Sequence, residues 1–185
     1  YQVRGDQVRD FFATKASENK CYVAYAAGRE MPDGTFRNST QIIDRDGHVA
    51  GIYNKNHLVI EEITKAGILC GKDAALIQAD FGAIGCAICF DLNFAELRQK
   101  YKALKPDLII FPSMYHGGLM QAMWAYDCRC HFIGAIAGLK SEIISPVGET
   151  LASTTNYVNH VTQTINLDCA VVHLDYHWDK LQALK

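Results

Sequence analysis

No stretch of roughly 18 apolar residues occurs in the chain, and it does not open on a basic segment followed by an apolar one. The sequence therefore shows neither a membrane-spanning helix nor a secretory signal. Charge of one sign is equally scarce. Lysine and arginine number 18 against 20 aspartates and glutamates, a formal net charge of -2, and the charges are scattered rather than gathered. Phosphate backbones and anionic lipid demand a basic patch that is missing here, which disfavours nucleic acid and membrane as partners. Only 4 prolines occur, with no Pro/Gly/Ser-rich linker, internal repeat or low-complexity segment. One domain over residues 1–185 is the resulting expectation.

Cysteine, by contrast, is plentiful. Seven occur, at positions 21, 70, 86, 89, 128, 130 and 169, and several lie inside apolar runs. An odd count in such places points to free thiols in a reducing cytoplasm rather than to a disulfide framework. For any single one, packing is the default role.

Hydrophobic patterning predicts an alternation of strands and helices. Tyr1 to Phe12 reads as part of a helix. Because the chain begins there without methionine, earlier residues are expected to be missing. Cys21 to Ala27 reads as a buried strand ended by Gly28, and Met31-Pro-Asp-Gly34 as a turn. Thr40 to Asp44 and His48 to Tyr53 flank Arg45-Asp-Gly47, where glycine supplies the positive φ of a tight hairpin. Ile84 to Phe90 is apolar on both alternations, as a strand covered on both faces must be. Phe94, Leu97, Tyr101 and Leu104 recur at helical spacing, with Asp91 or Asn93 able to cap the start and Lys105-Pro106 to stop it. Leu108 to Phe111 is the next strand, closed by Pro112. Gly117 to Arg129 comes next as a helix, then Phe132 to Leu139 as a buried strand, Ser145-Pro-Val-Gly148 as a turn, Thr150 to Ser153 as a short strand and Cys169 to Leu174 as a closing one. The pattern is that of an α/β layer structure.

Two segments carry chemistry. Gly85-Cys-Ala-Ile-Cys-Phe-Asp-Leu-Asn-Phe-Ala-Glu96 places Cys89 where a buried strand gives way to a helix. Backbone N–H groups and the helix dipole at such a turn lower a thiol's pKa and hold a developing oxyanion. Ile52-Tyr-Asn-Lys-Asn-His-Leu58 sets Lys55 among residues that otherwise face a core. Its ammonium either stabilises a thiolate or oxyanion, or snorkels at the sheet edge.

Together these segments resemble the nitrilase, or carbon-nitrogen hydrolase, superfamily. The resemblance rests on Tyr53-x-Lys55-x-His57-Leu58, on Gly82-x-Ile84-Gly85-x-x-Ile88-Cys89-Phe90-Asp91, on Asp107-Leu-Ile-Ile-Phe-Pro-Ser113 and on Ser145-Pro-x-Gly148. It implies an α-β-β-α sandwich, incomplete here, and a Glu-Lys-Cys triad in which Cys89 is the nucleophile and Lys55 the lysine. Glu62 stands where some members place a second glutamate, with Glu61 its neighbour and competitor; a solvated helix start, Glu61 to Lys65, is the plain alternative for both. The general-base glutamate belongs to a turn ahead of the opening helix, so it is expected to lie outside this chain, as is the family's C-terminal tail. A full-length protein of this kind is expected to be a homo-oligomer that takes a small amide or N-carbamoyl substrate with no metal or organic cofactor. The Phe90 N–H would join Lys55 in holding the oxyanion, while Tyr115 and His116, on the loop after Ser113, would line the substrate pocket beside Met114. Asn93 and Ala95 depart from the family pattern, which has arginine and proline there. Phe90-Asp91 favours amidases over nitrile hydrolysis. His57 belongs to the motif and is expected to pack rather than react.

Two other readings compete. A non-catalytic fragment or pseudoenzyme would share the same residues. A zinc or redox module could draw on Cys86-x-x-Cys89 and Cys128-x-Cys130, although side chains 128 and 130 of one helix point to different faces.

Overall fold

The structure is a computed structural model that describes residues 6–172 together with Tyr176, Lys180 and Ala183. Helix α1 (Gln7–Asn19) precedes strands β1 (Val23–Glu30), β2 (Phe36–Ile43) and β3 (Val49–Asn54), which form an antiparallel three-stranded sheet. The β2–β3 hairpin arises from local chemistry: Asp44 accepts the N–H groups of Asp46 and His48, and Gly47 takes a φ of 87°. Strand β1 runs on through Gly28, which pairs with Asn38, instead of ending there. Of the expected opening helix, residues 1–5 lie outside the described ones.

A short helix α2 (Ile60–Thr64) leads to a second sheet of six strands in sequence order: β4 (Ile77–Ala79), β5 (Gly82–Cys86), β6 (Leu108–Ser113), β7 (His131–Ile136), β8 (Glu142–Ile144) and β9 (Thr150–Ser153). Strands β5, β6 and β7 are parallel, and antiparallel neighbours flank them. Helix α3 (Ala95–Leu104) connects β5 to β6, and α4 (Met120–Cys128) connects β6 to β7.

Adjacent residues of β2 show how the layers stack, because successive strand side chains point to opposite faces. Ile43 packs with Ala16 of α1 and Tyr25 of β1, whereas Ile42 belongs to the main core with Ile77, Ile84 and Phe111 of the second sheet. Leu97, Tyr101 and Trp124 of α3 and α4 complete that core. The order is helix, sheet, sheet, helices, the α-β-β-α arrangement expected.

Several boundaries differ from the sequence expectation for identifiable reasons. The strand expected from Ile84 to Phe90 stops at Cys86, whose N–H and C=O are both taken by the Tyr101 hydroxyl (3.1 and 2.7 Å), and residues Cys89–Asn93 form a 3-10 turn instead. Strand β6 continues through Pro112 because its pairing with β5 ends at Ile110, so the missing N–H faces no ladder partner on that side. Helix α3 starts after Phe94 without a side-chain cap, since Asp91 is engaged elsewhere. Helix α4 begins at Met120 rather than Gly117, and β7 ends at Ile136 rather than Leu139. Residues Cys169 to Val172 are not a strand, and His173 and Leu174 lie outside the described residues. Among the described residues no helix is long and apolar enough to cross a membrane.

Gly85 is held close against the core. A Cβ there would sit 2.9 Å from Cε1 of Tyr101 and 3.3 Å from Cγ1 of Ile109, whereas one at Gly28 would meet nothing within 4 Å. Gly85→Ala is therefore expected to lose about 1–3 kcal/mol by overpacking, and Gly28→Ala to stay within about 0.5 kcal/mol of the parent. Denaturant midpoints measure both, and equal midpoints for the two variants would contradict the packing account.

Candidate active site

Lys55 leaves the end of β3, and its backbone is held on both sides: its N–H donates to the Asn38 carbonyl (2.8 Å) and its carbonyl accepts from Gly71 N–H (2.7 Å). The side chain is 2% exposed, and its Nζ lies 2.6 Å from Oε2 of Glu62. A buried ammonium demands such a partner. Glu62 also accepts from Asn38 Nδ2 (2.7 Å) and from the Val59 N–H (2.9 Å). Burial pushes its carboxyl upward, but the hydrogen bonds from Lys55, Asn38 and Val59 outweigh that and hold it below the usual glutamate value. Glu61 is exposed. Of the two adjacent carboxylates, the short helix α2 therefore turns Glu62 onto the lysine and Glu61 to solvent. The segment is helical as expected, but the solvated reading holds for Glu61 alone, since Glu62 is bonded to Lys55, Asn38 and the Val59 N–H.

Cys89 opens the 3-10 turn and is partly exposed, with a φ of 48°. A non-glycine residue in the left-handed region costs about 1–3 kcal/mol and persists only where neighbours impose it. The neighbour that imposes it is Asp91, fully buried in the same turn. Its Oδ2 accepts from the Ile88 N–H (3.0 Å) and the Tyr53 hydroxyl (2.8 Å); its Oδ1 accepts from the backbone N–H groups of His57 (2.8 Å) and Asn56 (3.2 Å) and lies 3.0 Å from His57 Nδ1. One carboxylate thus binds both the turn that carries Cys89 and the loop that carries Lys55. Burial, reinforced by the Asp91 charge, raises the Tyr53 phenol far above its ordinary pKa and keeps it a donor. The sequence motifs contain Tyr53, His57 and Asp91, yet only the fold shows that they are bonded to one another.

Phe90, next to Cys89, is partly exposed, and its N–H at the first turn of a 3-10 helix has no intrahelical acceptor. Phe94 packs edge-on against Phe90 and stacks on His57 with centroids 3.7 Å apart and an interplanar angle of 7°. His57 also lies 3.3 Å from Glu96. It packs and bonds within the framework, as expected of it.

Tyr115 and His116 sit on the loop leaving the C-terminal end of β6. The Tyr115 hydroxyl donates to Asn93 Oδ1 (3.1 Å), and Asn93 Nδ2 donates to the Phe90 carbonyl (3.3 Å), so this loop abuts the Cys89 turn. His116 reaches the other way, with Nε2 3.4 Å from the buried carboxylate of Glu142. Sequence reasoning misses Glu142, and no short-range signal marks it.

The other cysteines behave differently. Cys86 is buried, and burial pushes its thiol up to about 12. Helical geometry predicts that Cys128 and Cys130 face different ways, but α4 ends at Cys128 and Arg129 takes a φ of 56°, which brings the two thiols close enough to shift each other's titration, while Cys128 Sγ donates to the Arg98 carbonyl (3.7 Å). Among the described residues no three His, Cys, Asp or Glu side chains gather to hold a metal ion.

Comparison with known proteins identifies the family and the fold. The family model described as Carbon-nitrogen hydrolase matches residues 5–171. The chain is 27% identical over 121 residues to a deaminated glutathione amidase of Dictyostelium discoideum, covering 59% of the chain and 42% of that protein. It is 23% identical over 175 residues to omega-amidase NIT2 of Danio rerio, covering 80% of the chain and 63% of the relative. A carbon-nitrogen hydrolase from Helicobacter pylori G27 has the same fold, with a TM-score of 0.71 at 19% identity over 81% of this chain and 63% of that one. The matches thus span less than two thirds of each of these proteins. With the matched segment taking in both the lysine loop and the cysteine turn, the chain belongs to the carbon-nitrogen hydrolase family.

Proposed function

We propose that the protein hydrolyses the carbon-nitrogen bond of small amide or N-carbamoyl compounds through a thioester on Cys89. The observation that carries this reading is the Asp91 carboxylate, which fastens the turn of a strained, accessible cysteine to the loop of a buried, ion-paired lysine. Relatives that are named amidases support the same chemistry.

In the proposed cycle a carboxylate takes the Cys89 proton and the sulfur attacks the carbonyl carbon. The oxyanion that forms is held by the Lys55 ammonium and the Phe90 N–H. Collapse breaks the C–N bond, and the nitrogen leaves as ammonia or an amine with the proton the base collected. Water, deprotonated by the same carboxylate, then attacks the thioester; the C–S bond breaks, the acid departs and the thiol is restored. Glu62 is a poor choice for the base, because Lys55, Asn38 and the Val59 N–H already occupy its oxygens. Its proposed task is to position the ammonium, and the base is proposed to be the glutamate that the family carries ahead of α1.

Three measurements test this. Cys89→Ala in the whole protein is expected to lower ammonia release from amides by roughly three to six orders of magnitude, while Cys86→Ala keeps most of it; equal losses with unchanged circular dichroism would remove the single-nucleophile assignment. Lys55→Met is expected to lower kcat by roughly a hundred- to a thousandfold with a much smaller change in KM, against no change for Lys72→Met, whose side chain is exposed. Mild and equal effects of the two would make Lys55 an ordinary charge. Finally, residues 1–185 assayed alone on a panel of amides, N-carbamoyl compounds and nitriles are expected to show no sustained turnover. Turnover that disappears in Cys89→Ala would place the base within these residues, with Glu62 the first to replace.

A further inference from the structure

Two buried thiols take no part in the proposed cycle. Cys128 is the last residue of α4 and Cys130 the residue before β7, 4% and 1% exposed. Strands β5, β6 and β7 are parallel. Cys89 lies beyond the C-terminal end of β5, whereas this pair precedes the N-terminal end of β7, at the opposite edge of the sheet.

The residue between them brings them together. Arg129 closes α4 in the left-handed region, with φ 56° and ψ 36°. Its N–H donates to the Ala125 carbonyl, which also accepts from the Cys130 N–H (3.2 Å), and its guanidinium lies over the Tyr126 ring, 4.2 Å from the centroid. The separation of two Cα atoms that flank one residue is set by that residue's φ and ψ. A left-handed helical residue mirrors a right-handed one, so helix geometry places the flanking Cα atoms about 5.4 Å apart. An extended residue would place them roughly 6.6–7.2 Å apart. Disulfides need roughly 4.4–6.8 Å.

The sulfur atoms are close as well. The neighbouring Cys130 thiol holds that of Cys128 below its ordinary pKa despite burial, and Cys128 in turn pushes Cys130 upward. Arg98 and Lys102 of α3 favour the Cys128 thiolate; Asp127, which lies 2.8 and 4.0 Å from them, opposes it. One sulfur thus ionises more readily while its neighbour keeps its proton, the arrangement in which the first reacts and the second resolves the product.

We propose that Cys128 and Cys130 form a second thiol centre, which a peroxide oxidises to a disulfide and a thiol reductant restores. The Cys128 sulfur attacks one peroxide oxygen, the O–O bond breaks, and a sulfenic acid and water form. Cys130 then attacks that sulfur. The S–O bond breaks, the hydroxyl leaves as water with the Cys130 proton, and the S–S bond closes. Two thiols and one hydrogen peroxide give one disulfide and two waters. Hydrogen peroxide is little larger than water, and helix ends open at least cost, so the first attack needs only a small movement. A bridge across one residue closes so short a loop that it adds little stability, which keeps it easily reversed. None of this depends on the role of Cys89.

Trypsin provides the test, because Arg129 stands between the two cysteines. The whole protein is treated with hydrogen peroxide until exposed Cys70 and Cys169 react, remaining thiols are alkylated under denaturing conditions, and the tryptic peptides are weighed. The peptide ending at Arg129 is expected to stay joined to the one beginning at Cys130, two hydrogens lighter than their sum, and dithiothreitol is expected to separate them. This joined pair is expected to hold most of the Cys128 that is oxidised. Cys128 recovered alkylated overturns the proposal, as does Cys128 oxidised to a sulfinic acid or joined to another cysteine. These outcomes are read in the unmodified protein, so they stand whether or not a variant folds. In Cys130→Ala the bridge is expected to give way to a sulfenic acid at Cys128 that dimedone traps. A folded variant without that adduct overturns Cys128 as the sulfur that reacts first.

Discussion

The Asp91 carboxylate is the constraint on which the rest of the site depends. Buried away from solvent, it is satisfied instead by the N–H groups of Asn56, His57 and Ile88 and the hydroxyl of Tyr53, alongside the ring nitrogen of His57. Each donor left without an acceptor in such a place would cost about 1–3 kcal/mol, so the loop after β3 and the turn after β5 are bound to one geometry. Those two segments come from different sheets. Apolar packing between the sheets is non-directional and could tolerate a shift of one against the other, whereas a carboxylate shared between them through short, directional bonds could not. The left-handed backbone of Cys89 is carried by the same bonds, two residues away.

Within that framework stands a buried charge pair, Lys55 with Glu62. A buried pair adds little net stability, because desolvation offsets most of the attraction, but it fixes where a charge stands. Glu62, held below its ordinary pKa, stays ionised through the neutral range. The contribution of its pairing is present above the usual glutamate value and is lost only as pH falls through the lowered one. The ammonium at Lys55 is consequently fixed in place before any substrate arrives, the condition under which a cation lowers a barrier without reorganising.

Much of the architecture is legible from local signals. The Asp44 to His48 turn, the helix from Ala95, the turn at Ser145 and strand β9 are each specified by residues within a few positions of one another, through turn chemistry or a repeating apolar face. Where the boundaries differ from that local expectation, a long-range contact intervenes. The Tyr101 hydroxyl ends β5 at Cys86, and the buried bonds of Asp91 remove it from the helix start that its position suggests. Cys128 and Cys130 meet because the chain leaves the helix at Arg129, a change of conformation that helical periodicity does not register.

By itself the sequence determined the candidate nucleophile and the lysine, since Cys89 and Lys55 stand in short motifs whose residue types and order carry the family's chemistry. It also determined the layered α/β class, because alternation and periodicity are properties of neighbours. It favoured Glu62 over its competitor Glu61 only through the family resemblance, since two carboxyl groups side by side carry no local distinction, and it held no sign of Glu142. The tertiary structure shows which of the two meets the lysine. Which carboxylate meets a buried ammonium depends on how α2 packs against the end of β3, and the bond from Tyr53 to Asp91 joins residues 38 positions apart. Such contacts arise when a desolvated charge must find its partner somewhere in the folded chain, a requirement that acts through space and leaves no periodic mark on the residues that satisfy it.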